Sequence, residues 1–260
     1  MSDLSRRQFL TTAAATAAAV AVPGLAGAAE PPDWSPDHIT NVGDDPEQLK
    51  QYEPHLDILW SDQQQLIGIY GWYADSSKYD TRAYYFWCKY IKQDSFADAI
   101  PLLGPLLSRD SHFKDHEPIV IFAEPDTGEV QEVLYSGYHH YGVNLPRSEI
   151  SLVQQSRDFP THVSLEVATP HHHLMAQPNT TSTIPAHTIR SAEFGSFLDE
   201  QPEWERNNVF SSSHRPAVFD PWAAKERGYW WKDGTWDKRF AQLRLLLNWR
   251  DEAHDELITE

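Results

Sequence analysis

The chain has 260 residues, with 38 acidic against 21 basic side chains, a net charge of −17, 13 histidines and one cysteine. So acidic a chain repels nucleic acid and anionic lipid surfaces, and a lone Cys88 excludes an intrachain disulfide. High acidity with only eight lysines suits a salt-rich habitat, where screening weakens self-repulsion.

In chain order, the first signal is Ser5-Arg6-Arg7-Gln8-Phe9-Leu10, a twin-arginine pattern. A small-residue apolar run follows from Thr11 to Val22, and Ala26-Gly27-Ala28 offers a cleavage site. The apolar run is too short and too Ala-rich for a membrane span, and no cysteine stands near it for a lipid anchor. Residues 1–28 therefore read as a signal peptide. The mature chain is expected at the cell surface or outside the cell, exported by the twin-arginine pathway and without a transmembrane segment. Residues 29–49, rich in proline and acidic side chains, read as an irregular arm. Residues 50–260 are expected to form a single domain.

Ile67 to Tyr73 and the aromatic run Ala83 to Ile91 predict strands. Phe96 to Leu107 reads as a short helix or a loop around Pro101 and Pro105. Next comes Ser111-His112-Phe113-Lys114-Asp115-His116-Glu117, where four groups able to bind a metal or move a proton fall within six residues. Pro118 disfavours a helix there. In an extended backbone Asp115 and Glu117 share one face and His116 takes the other. One imidazole with two carboxylates on a rim suits a divalent cation that accepts oxygen ligands.

Ile119–Ala123 and Glu129–Tyr135 flank Glu124-Pro125-Asp126-Thr127-Gly128 and predict a β-hairpin. Thr161 to Thr169 reads as a strand with Val163, Leu165 and Val167 on one face. Residues 176–190 read as a Thr/Ser/Pro loop. Residues 202–236, with five tryptophans, read as irregular aromatic packing that could also stack on sugars. Asp237 to His254 carries apolar residues at helical spacing. The fold class is mainly β, a β-sandwich with a C-terminal α-helix, because strands come as hairpins and no βαβ alternation occurs.

The segment Ser111–Glu117 resembles the GHRHDWE heptapeptide of the necrosis-and-ethylene-inducing, or NPP1-like, proteins, with His112, Asp115 and Glu117 at its second, fifth and seventh letters. Tyr52-Glu53-Pro54-His55-Leu56, Arg82 to Trp87 and Tyr135 to Tyr141 resemble neighbouring segments of that family, so the likeness covers about residues 50–175. It implies a β-sandwich in which His112, Asp115 and Glu117 help hold a divalent cation in a cleft. Asp110 and Asp98 are candidates for a further upstream ligand. Ser111, Phe113, Lys114 and His116 depart from the pattern. Lys114 beside a cation costs binding unless it points away, and Cys88 alone cannot supply the disulfides of the family's plant-toxic members. Both departures weigh against cytolytic activity.

Most histidines cluster at His112 and His116, at His139 and His140, and at His171 to His173. The turn at 124–128 closes one end of the hairpin, so the first two clusters meet at the other. A neighbouring strand can deliver the third. The expected metal ligands are His112, Asp115 and Glu117, with Asp110, His116, His139, His140, His171 and His173 as further candidates. Mg²⁺ or Ca²⁺ is expected before a transition metal. The expected function is binding of a glycan or glycolipid head group at that cation. A metal-dependent hydrolase and a non-catalytic cell-surface protein are the alternatives. HExxH, GxSxG and phosphate-loop motifs are missing from the chain.

Overall fold

The computed structural model describes residues 31–93, 112–113, 115–138, 141–153, 160–168, 172–176 and 212–230, without the side chains of 93, 112, 113, 138 and 212. The signal peptide, Phe96 to Leu107, most of the 176–190 loop and the helix expected from Asp237 lie outside these residues.

Runs of aromatic and β-branched residues build the main sheet, because such side chains pack well on a pleated surface. Its strands are β1 (Ile39–Gly43), β3 (Leu66–Ser76), β4 (Arg82–Tyr90), β7 (His116–Ala123), β8 (Val130–Tyr138) and β9 (Tyr141–Pro146). They lie in the order β1-β3-β4-β7-β8-β9, every neighbouring pair antiparallel. Arg82 closes the β3–β4 hairpin by forking onto Asp75, at 2.6 and 2.8 Å. The β7–β8 hairpin turns where predicted: the Gly128 amide donates to the Glu124 carbonyl at 2.8 Å. Gly128 has φ +77°, which favours glycine there.

A second sheet contains β10 (Leu152–Val153), β11 (His162–Ala168) and β12 (His173–Ala176), with β2 (His55–Asp57) pairing parallel to β11. Leu56, Val163, Leu165, Val167 and Leu174 of this sheet pack on Ile69, Phe86, Ile119, Ile121 and Tyr135 of the first. The two sheets thus enclose a common core, as a sandwich requires. Tyr52 reinforces the contact: its ring stacks on Tyr84 at 3.8 Å, and its hydroxyl donates to the Gly128 carbonyl. A small pair, β5 (Lys92–Gln93) and β6 (His112–Phe113), extends beyond β4.

The outer face of the main sheet is covered too. Trp72, Tyr85, Trp87 and Phe122 bury against Val218, Phe219, Trp222 and Trp230, each such ring contributing about 1.5–3 kcal/mol by leaving water.

The structure changes two expectations from the sequence. Within the Pro/acid-rich arm, Ile39–Gly43 is the edge strand β1, and α1 (Pro46–Lys50) follows, capped by Asp45. Within the aromatic region expected to be irregular, α3 (Arg215–Phe219) and α4 (Pro221–Arg227) are helical. Proline stands in the first turn of both, Asp220 caps α4 and Gly228 closes it at φ +74°. Trp222 and Trp230 are fully buried, so neither presents a ring for sugar stacking. A further short helix, α2 (Trp60–Gln63), precedes β3.

Candidate functional site

β4 and β7 run antiparallel with Cys88 opposite Glu117 and Lys89 opposite His116. One residue further, the Tyr90 amide donates to the Asp115 carbonyl at 2.8 Å. This holds Asp115 and Glu117 in extended chain, and strand alternation does the rest. Both carboxylates turn to the inter-sheet side with Cys88 and Tyr90. His116 turns to the opposite face, edge-on to Trp87 at 6.4 Å between ring centroids.

Asp115 and Glu117 are each 3% exposed. Burial, and then the Asp115 charge, push the Glu117 carboxyl well above its ordinary range, against a hydrogen bond from Ser136 that favours the ionised form. Ser136 stands where β8 departs from regular register with β9, and such irregularities re-aim side chains. Glu117 Oε2 is buried and has no hydrogen-bond partner among the described residues. An unpartnered buried oxygen of this kind costs about 1–3 kcal/mol. Burial and the two carboxylates also raise the Cys88 thiol, which makes it an inert core residue.

The second sheet contributes His172, in the turn between β11 and β12. Its amide donates to the Ala168 carbonyl at 2.8 Å, and its backbone is left-handed at φ +59°. The imidazole is fully buried. It lies flat on Tyr90, 3.9 Å between centroids and 4° between planes, and its Nδ1 sits 3.0 Å from Asp115 Oδ2. His172 Nε2 and the Tyr90 hydroxyl are buried without a hydrogen-bond partner among the described residues.

Two buried carboxylates side by side, one with an orphaned oxygen, are a donor set suited to a hard divalent cation. Among the described residues no group of three or more His, Cys, Asp or Glu side chains is arranged to hold a metal ion. The backbone of His112, in β6, pairs with Gln93 of β5, three residues before Asp115. The His112 side chain, Asp98, Asp110, His139, His140 and His171 lie outside the described residues. His173 is buried at the start of β12, opposite Ala168. Sequence reasoning omitted His172 and Tyr90 from the candidate set. The triple-histidine run marked the neighbourhood of His172, but its inward direction comes from a left-handed turn that alternation does not describe.

Residues 3–23 match the model of the twin-arginine translocation (TAT) pathway signal sequence, so export follows that pathway. No curated protein matches the chain. Among solved structures, Necrosis and Ethylene inducing Protein 2 from the causal agent of cocoa's Witches Broom disease aligns over 70% of this chain and 90% of its own, with 15% identity and a TM-score of 0.41. NLPPya, solved in complex with mannosamine, aligns over 60% of this chain and 74% of its own, with 12% identity and a TM-score of 0.38.

A second polar row lies on the opposite side of the main sheet. His38 bonds Ser76 Oγ through Nδ1 and Asp220 Oδ2 through Nε2, both at 3.0 Å. The order Ser-His-Asp is that of a hydrolase triad, but its chemistry is spent locally. The Ser76 oxygen accepts the amides of Lys78 and Tyr79 at 3.1 and 3.2 Å, so with its proton on His38 no lone pair is left for attack. Asp220 Oδ1 meanwhile accepts the Ala223 amide at 2.9 Å. This row fastens β1, β3 and α4 together and is not a nucleophile.

Proposed function

We propose that this exported protein holds a divalent cation at Asp115 and Glu117, with His112 as third protein donor, and that the cation binds a glycan or glycolipid head group. The observation that carries this reading is the burial of two carboxylates on one face, with Glu117 Oε2 unpartnered. Without a counter-charge that arrangement is costly. A cation would offset the mutual repulsion and engage the orphaned oxygen. The division of labour is simple: Asp115 and Glu117 supply charge, Ser136 orients Glu117, and the strand pairing with β4 fixes both backbones. Bound Ca²⁺ or Mg²⁺ would supply coordination positions for sugar hydroxyls or an acidic head-group oxygen.

The test is retention on immobilised glycans and on vesicles carrying glycosylated lipids, in Ca²⁺ or Mg²⁺ and again in chelator, at matched ionic strength. Binding should fall by about tenfold or more in chelator and in Asp115→Asn/Glu117→Gln, with the fold intact by circular dichroism. Retention that neither chelator nor the double variant changes would refute the cation-borne mechanism.

A further inference from the structure

We infer that His172 is the positioning residue of this site: its Nδ1–H holds Asp115, and Tyr90 holds the plane of its ring. The inference rests on the cation reading of the same rim and adds the group that orients its first carboxylate.

Three independent observations converge on His172. Its backbone takes a left-handed conformation, φ +59°, that most residues avoid and that glycine, asparagine, aspartate and histidine enter more often. Non-glycine residues held in this region gather at functional sites. The second observation is the bond: Nδ1 lies 3.0 Å from Asp115 Oδ2, between groups 57 residues apart and on different sheets. A carboxylate only accepts, so Nδ1 is the donor of this bond. The ring's Nε2 is buried without a hydrogen-bond partner among the described residues, an arrangement packing alone would not favour. The third is the stack on Tyr90, parallel within 4° at 3.9 Å, which removes the ring's freedom to rotate away.

Asp115 is tied through its backbone to β4 by the Tyr90 amide, and through its side chain to the β11–β12 turn by His172. Tyr90 therefore serves both ties. The bond fixes one Asp115 oxygen on His172 and with it the plane available to the carboxylate. Groups that orient a ligating carboxylate in this way typically alter metal affinity 10–100-fold when removed.

The experiment is calorimetric titration of the full mature chain with Ca²⁺ and with Mn²⁺ alone, in the wild type and three variants. His172→Asn keeps an N–H donor close to the Nδ1 position and tolerates the left-handed backbone. His172→Phe keeps the stack and loses the donor. His172→Gln moves the donor outward by one carbon, and makes the same comparison if the phenylalanine variant does not fold. The account predicts affinity within about threefold of wild type for the asparagine variant. It predicts a loss of about 10–100-fold for the phenylalanine and glutamine variants, with thermal midpoints of the folded variants showing no matching order. Equal affinity in the wild type and the phenylalanine or glutamine variant, or an asparagine variant as weak as they are, overturns the role of His172 and leaves the cation site standing. A wild-type chain that binds neither ion overturns both.

Discussion

Glu53, His55 and His162 form a titratable group apart from the candidate site, where β2 runs alongside β11. The His162 Nδ1–H donates to the Glu53 carbonyl at 2.8 Å, and the two imidazole centroids lie 5.1 Å apart. Burial lowers both histidines below their ordinary 6.5, and for His55 the neighbouring His162 adds to the effect. Their contribution to stability is therefore complete above pH 6.5 and is lost as pH falls through their folded values. Glu53 acts with the opposite sign. Burial pushes its carboxyl from 4.5 up to about 7, against the attraction of Lys50. Its contribution is complete below pH 4.5 and is lost as pH rises to about 7. Glu53→Gln should thus be more stable than wild type at pH 8, by about 1 kcal/mol after discounting for the group's partial exposure. The gap should close by pH 4.5. Urea midpoints at the two pH values check this, and a gap that widens in acid would contradict it. At this scale alternation along β7 made the shared face of Asp115 and Glu117 legible before any coordinates. The His55–His162 pair was not legible, because it arises from a parallel pairing between segments more than a hundred residues apart.

Among the elements, α4 is held at its start by a single residue. Asp220 caps its first turn through Oδ1 and receives His38 through Oδ2, while only 5% exposed. Asp220→Ala removes the cap and leaves His38 Nε2 without its acceptor. The two effects together should cost about 2 kcal/mol, read as a lower denaturant midpoint at unchanged slope. A change below about 0.5 kcal/mol would place the clasp outside the stability of the fold. The β7–β8 hairpin was legible because Pro125, Asp126 and Gly128 mark its turn and both flanks are apolar. The helices α3 and α4 were hidden by the tryptophans around them, although Pro216, Pro221, Asp220 and Gly228 are the start and stop signals that define them. Strand β1 was obscured by the acidic, proline-rich composition on both sides of Ile39 and Val42, the two residues that bury it in the core.

On the scale of the whole molecule, the sandwich brings one strand end and one turn from different sheets to a single buried point. Strand β7 supplies Glu117, the residue just before it is Asp115, and the β11–β12 turn supplies His172. A twin-arginine signal implies that this assembly forms before the chain leaves the cell, with no disulfide available to hold it. Its stability therefore rests on the two hydrophobic layers. The most direct measurement is metal content by elemental mass spectrometry on the folded mature chain after exchange into Ca²⁺ and Mg²⁺, beside Asp115→Asn/Glu117→Gln in the same high-salt buffer. The account predicts about one divalent ion per chain, lost in the double variant. A folded wild-type chain that carries no ion, or a double variant that keeps it, would contradict the account.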